Sequence, residues 1–157
     1  MIPAISRDGC LEALRKMLLI RRFEEACIQA AEKAQVPGHF HVYIGQEATG
    51  VGVMATLGPG DFVYSTHRNH GHLLARGADP KKALAEIFGK ATGYAGGKAG
   101  TLHGCAPELN FPLSSAIVGG VLPIATGTAY ALKHRGQPNV CVAMFGGAFV
   151  EQRVAQK

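Results

Sequence analysis

The chain has 157 residues, a net charge of +5, 47% hydrophobic and 17% charged residues. That composition excludes a disordered chain, and the length suits one domain rather than a two-domain enzyme. The basic residues fall in scattered pairs (Arg15-Lys16, Arg21-Arg22, Lys81-Lys82) without a stripe of interleaved aromatics. This argues against nucleic-acid binding and is compatible with an anionic small ligand.

In chain order, the first predicted element is a long amphipathic helix. Leu11, Leu14, Met17, Leu18, Ile20, Phe23, Cys27, Ala30, Ala31 and Ala34 recur at three and four residues, with Asp8 as its cap and Pro37-Gly38 as its stop. A second helix is expected from about Glu47 to Leu57, rich in small residues. "GPGD" (58–61) reads as a turn and "FVYS" (62–65) as a short extended piece. "THRNHGH" (66–72) opens a short helix through Leu73, Leu74 and Ala75. Asp79-Pro80 is an N-cap followed by Pro at the first helical position, starting a helix that runs to about Lys90. A glycine-rich loop (93–104) and an irregular stretch to Ser115 follow. "GGVLPIATGTAYALKHRG" (119–136) reads as a helix, with Pro123 tolerated in its first turn and Gly136 as its stop. Val140 to Phe145 then read as one continuous buried strand of parallel type, with no partner strand elsewhere in the chain.

The four cysteines (Cys10, Cys27, Cys105, Cys141) lack metal or disulfide spacing and read as free thiols of a reducing compartment. "MLLI" (17–20) is too short for a signal sequence, and no segment is long enough to span a membrane. A cytoplasmic location is expected.

Three segments carry candidate chemistry. In "HFHVYIGQEA" (39–48), His39 and His41 would share one side of an extended segment, while Gln46 and Glu47 suit a helix first turn. "HRNHGH" (67–72) concentrates three imidazoles and one guanidinium. Arg68 there suits an anion, because a guanidinium grips phosphate oxygens in bidentate fashion. A solvated polar loop explains the same residues, and a metal site would need further converging ligands. "SSAIVGG" (114–120) would let backbone approach a flat ligand closely, or simply pack.

Taken in register, "LIRRFEE", "HVYIGQEA", "HRNHGHLLARG", "AEIFGKATGYAGGKAGTLH", "SSAIVGGVLPIATG" and "VCVAMFG" resemble the alpha subunit of thiamine-diphosphate-dependent 2-oxo acid dehydrogenases. Pyruvate, branched-chain 2-oxo acid and acetoin dehydrogenases share this pattern. The resemblance implies an α/β thiamine-diphosphate-binding fold with a parallel sheet, incomplete here, so that residues 1–157 form the N-terminal portion of a single domain. It implies a heterotetramer with a beta subunit, magnesium and thiamine diphosphate as cofactors, a 2-oxo acid as substrate and a lipoyl-bearing acyltransferase as acyl acceptor. By position, it makes Arg68 the diphosphate ligand and His67 the stand-in for a tyrosine on the same diphosphate. His41 falls near the substrate as the candidate catalytic residue. Ala116, Ile117 and Val118 form the loop that meets the aminopyrimidine, and Gly146, Gly147 and Ala148 border the diphosphate. His70 orients the phosphate loop or simply hydrogen-bonds within it.

Two departures weigh on that reading. The family strand ends in Gly-Asp-Gly, whose aspartate ligates magnesium; here Gly146 is followed directly by Gly147. The family's later asparagine ligand does not occur, and "VEQRVAQK" lacks the apolar residues of a covering helix. The sequence therefore predicts no metal ligand and an inactive isolated chain. Two other readings stay open: a non-catalytic oligomerising or partner-binding module, and a metal-binding protein using His39, His41, His67, His70 and His72.

Overall fold

A computed structural model describes residues 6–147. Helix α1 (Arg7–Glu32) is capped by Ser6, whose side chain accepts from the Gly9 amide; Asp8 lies in the first turn instead of at the cap. Lys33 closes the helix and Ala34 follows at φ 54°, so α1 stops before Pro37-Gly38 is reached. Only its second half is inside. Ile20, Phe23, Glu24, Cys27 and Ala30 are buried, while Leu11, Leu14, Leu18 and Leu19 are exposed.

Helix α2 (Glu47–Ala55), strand β1 (Phe62–Thr66) and helix α3 (Asn69–Ala75) follow. Helix α4 (Pro80–Ile87) is capped as expected, Asp79 accepting from the Lys81 amide, but ends before Lys90. The stretch read as irregular contains a 3-10 turn (Pro107–Leu109) and strand β2 (Leu113–Ser115). Helix α5 (Val121–His134) leads to β3 (Cys141–Ala143).

The three strands form one parallel sheet in the order β2-β1-β3. The expectation of a lone strand is therefore corrected. "FVYS" is the central strand, and Phe62, Val63 and Tyr64 pair with Cys141, Val142 and Ala143. The expected run 140–145 is also shorter and less buried than its apolar composition suggests. Only Cys141–Ala143 is strand, half-buried throughout, and Phe145 is 52% exposed. Hydropathy marks residues that can be buried; at a sheet edge it does not say that anything covers them.

Strand β1 shows why the sheet sits where it does. Its side chains alternate: Phe62 and Tyr64 join Val121 and Ala125 of α5 on one face, and Val63 joins the core of α1, α2 and α3 on the other. Two polar anchors fix the connections. Asp61 accepts from the Gly58 and Val140 amides, tying the 58–61 turn to the start of β3. Arg76, just after α3, donates to the carbonyls of Gly58, Pro59, Asp61 and Leu109. The glycine-rich loop has an anchor of its own. The buried Glu86 carboxylate accepts from the amides of Ala95, Gly97, Ala99 and Gly100. Burial opposes the ionised Glu86, but these four amides outweigh it and lower its pKa.

Candidate functional site

Parallel strands bring their carboxyl ends to one edge, and a cleft opens there. It has a volume of about 290 Å³ and is lined by Tyr43, Gln46, Thr49, Thr66, His67, Arg68, His72, Met144, Phe145 and Gly146. A narrower hollow of about 100 Å³ adjoins it and shares Thr66, His67, Phe145 and Gly146. Ser115, Ile117, Val118, Gly119 and Val121 complete its wall. The larger space carries the cationic and amide-bearing side chains; the narrower one is mostly apolar. Among the described residues, no Asp or Glu lines either.

His67 sits where the two spaces meet. Burial, and then the neighbouring His41 and Arg68, lower its pKa, so its imidazole is held toward the neutral form. The His41 ring meets it edge-on, with centroids 4.8 Å apart. Arg68 donates one guanidinium arm to the Val42 carbonyl while facing the cleft.

Deeper in, the His72 Nδ1 is 2.7 Å from the Ser65 hydroxyl, and burial lowers the His72 pKa to about 4. Tyr43 packs edge-on against His72. Burial raises its phenol pKa to about 12, against the opposing effect of the Gly50 backbone beside its hydroxyl. A Cβ at Gly71 would overlap the Tyr43 ring, so glycine is what lets α3 approach that wall. Glu47 is committed elsewhere. Its Oε1 takes a 2.6 Å bond from Arg21, and its Oε2 accepts from the Gly45 amide. The Arg21 bond is the main reason its pKa is lowered.

The structure brings His67, Arg68, Ile117, Val118 and Gly146 into one cleft. It places His41 against His67 and leaves Ala116 and Gly147 exposed, outside the linings of both spaces. Ala148 lies outside the described residues, as does the tail 150–157. His39 and His41 do not share a site. His39 lines a separate surface hollow with His103, whereas His41 turns to His67. His70 and His72 are buried, each with its own partner, and no group of three His, Cys, Asp or Glu is arranged to hold a metal among the described residues. The five-histidine metal reading is thereby corrected.

Tyr43, Thr49, Thr66 and Met144 are cleft residues that the sequence did not single out, and Gln46, read there only as a helix first-turn residue, lines the cleft as well. Thr66 had a signal: it ends a strand whose sheet opens toward ligand. Tyr43 had none, because its place depends on α3 packing from elsewhere in the chain.

A small parallel sheet with helices on both faces and a divided cleft at its carboxyl edge defines an α/β protein, with the cleft at the sheet edge where such folds receive their ligands. The family described as "Dehydrogenase E1 component" matches residues 15–152, and the chain belongs to it. Similar curated proteins include the pyruvate dehydrogenase E1 component subunit alpha of Zymomonas mobilis, 44% identical over 93% of this chain and 42% of the relative. The same subunit from Rhizobium meliloti is 40% identical over 96% of this chain and 43% of the relative. The alpha subunit of an acetoin:2,6-dichlorophenolindophenol oxidoreductase from Bacillus subtilis is 41% identical over 91% of this chain and 43% of that relative. The chain thus spans less than half the length of these relatives. No helix among the described residues is long and apolar enough to cross a membrane.

Proposed function

We propose that this chain is the cofactor-binding part of an alpha subunit of a thiamine-diphosphate-dependent 2-oxo acid dehydrogenase of the cytoplasm. The observation that carries the reading is the divided cleft. A space that carries the Arg68 guanidinium and the His67 and His72 rings opens into a narrower, almost wholly apolar one, which suits a ligand with a diphosphate at one end and a flat ring at the other. When bound, thiamine diphosphate supplies the electron sink for decarboxylation of a 2-oxo acid.

The chain's own residues hold and orient. The Arg68 guanidinium and the neutral His67 ring offer donors to the diphosphate, and Gly146 lets backbone come close to it. Ile117 and Val118 present apolar surface to the ring. His41, at the rim against His67, faces the position of a substrate carboxylate or carbonyl. Ile117 is 73% exposed and Phe145 52%, so the cleft is open on that side. A beta subunit covering this wall would exclude water and complete the site. A lipoyl-bearing acyltransferase then takes the acyl group.

Magnesium does not fit the residues present. It favours oxygen ligands that include a carboxylate, no Asp or Glu among the described residues lines either space, and glycines follow β3 at 146 and 147. The proposal is therefore of cofactor binding without oxidative decarboxylation. Assaying 2-oxo acid turnover with a matching beta subunit, thiamine diphosphate, magnesium and lipoamide should give none, and measurable turnover would contradict this.

A second reading, a non-catalytic oligomerising module, is favoured by one feature. Ile117, Val118, Val140 and Phe145 are exposed, and β3 is an edge strand among the described residues. Light scattering after size exclusion decides it, since a compact monomer removes the reading.

A further inference from the structure

We infer that His70, oriented by Glu24, is a positioning residue for His41, fixing the 39–41 segment from beneath. Glu24 on α1 is fully buried, and His70 on α3 nearly so. The His70 Nδ1 lies 3.1 Å from Glu24 Oε1, and its Nε2 lies 3.0 Å from the Thr101 carbonyl. A carbonyl can only accept, so Nε2 carries a proton and donates it to Thr101. The Nδ1 to Glu24 Oε1 contact is the ring's second hydrogen bond. Bonds at both nitrogens fix the plane of the ring.

That plane supports the histidine segment by two routes. Phe40 stacks on His70 with centroids 5.2 Å apart and an 18° angle between rings. Thr101, whose carbonyl also accepts from Asn69 Nδ2 at 3.0 Å, donates its hydroxyl to the His39 carbonyl. His39 and Phe40 are thus tied to one imidazole, and His41 follows them onto His67. Residues 38–43 belong to no helix or strand, so side-chain ties must supply the order that a backbone ladder would give elsewhere. The far tie is Arg68, bonded to the Val42 carbonyl.

The arrangement is not the cheapest core. Glu24 Oε2 is buried without a partner among the described residues, and two apolar side chains of similar shape would leave no such orphan. The pair is better explained by what it orients than by what it contributes to stability. Its placement of His41 does not depend on any ligand. Its consequence for binding rests on the cofactor reading above.

The test is NMR of the chain labelled at histidine, reading the ring signals of His41 and His67, which shift one another through their edge-on contact. In Glu24→Gln, which keeps a polar group facing Nδ1, both sets should coincide with those of the unsubstituted protein. In Glu24→Leu and Thr101→Val both should move. Glu24→Leu can fail to fold; Thr101→Val removes only the hydroxyl to His39 and keeps the carbonyl that His70 needs. Phe40→Leu removes the ring stacked on His70; if folded Thr101→Val and folded Phe40→Leu both leave His41 and His67 unmoved, the inference is wrong. A thiamine diphosphate titration of the same samples separates the two proposals. Thr101→Val should weaken binding severalfold, while absence of binding by the unsubstituted chain strikes the cofactor reading and leaves the NMR result standing.

Discussion

The two walls of the cleft are built on opposite principles. The inner wall is backed by a core organised by buried polar groups with assigned partners: Ser65 with His72 at the wall itself, and behind it His70 with Glu24 of α1 and Glu86 with four amides of the 93–104 loop. The outer wall is apolar and uncovered, with Ile117, Val118 and Phe145 exposed. A pre-formed polar wall fixes where an anionic ligand end would sit. An uncovered apolar wall gives little to the isolated fold and leaves area for a partner to bury.

The contrast predicts large stability effects inside and small ones outside. Gly71→Ala should be the most damaging, because its Cβ overlaps the buried Tyr43 ring. Overpacking of this kind costs on the order of 3 kcal/mol, visible as a lowered urea midpoint.

Acid should act next, through His72. Its folded pKa of about 4 lies below the ordinary 6.5, so the unfolded chain binds the proton more readily in between. Stability is then full above pH 6.5 and falls as pH drops toward 4, by on the order of 3 kcal/mol. Denaturant melts across that window should show the loss, and His72→Gln should flatten it.

Glu86→Gln comes third, at about 2 kcal/mol, since four backbone amides lose a charged acceptor and two of them then face a side-chain NH2. The Glu86 pKa is lowered from 4.5, so its contribution is present above that value and disappears as pH falls through the lower folded one. Melts below pH 4.5 should therefore lose less in Glu86→Gln than in the unsubstituted chain. That window lies mostly below the one assigned to His72, overlapping it only near pH 4 to 4.5.

The smallest effect belongs to the outer wall. Ile117→Ser should change stability by less than about 0.5 kcal/mol, while weakening association with a beta subunit in a pull-down titration. A large destabilisation would mean that Ile117 is packed, and the comparison of walls would fail.

How much of this was legible in the sequence follows the same division. Helices α2 and α4 announced themselves through small-residue runs and the Asp79-Pro80 start, and Arg68 was marked by residue type and register. The sheet was harder to see. Leu113–Ser115 is three residues long, too short for a period-2 pattern to register, so β3 seemed to have no partner. The 140–145 run misled in the other direction, because apolar composition cannot tell a covered strand from an edge one. Glu24 was hidden inside a charged-looking "RRFEE"; its burial depends on His70 arriving from α3, a contact 46 residues away in sequence. His39 and His41 were paired by spacing and separated by structure, because Phe40 between them is drawn inward onto His70.

The central claim is that the carboxyl-edge cleft holds a diphosphate through Arg68 and without a metal. Calorimetric titration of thiamine diphosphate into the chain and into Arg68→Ala, each with magnesium and with a chelator, tests it directly. The account predicts binding by the unsubstituted chain that the chelator leaves unchanged, and a loss of about tenfold or more in Arg68→Ala, the scale of one charge-assisted contact. Equal affinity in the two chains, strict dependence on magnesium, or no binding at all would contradict it.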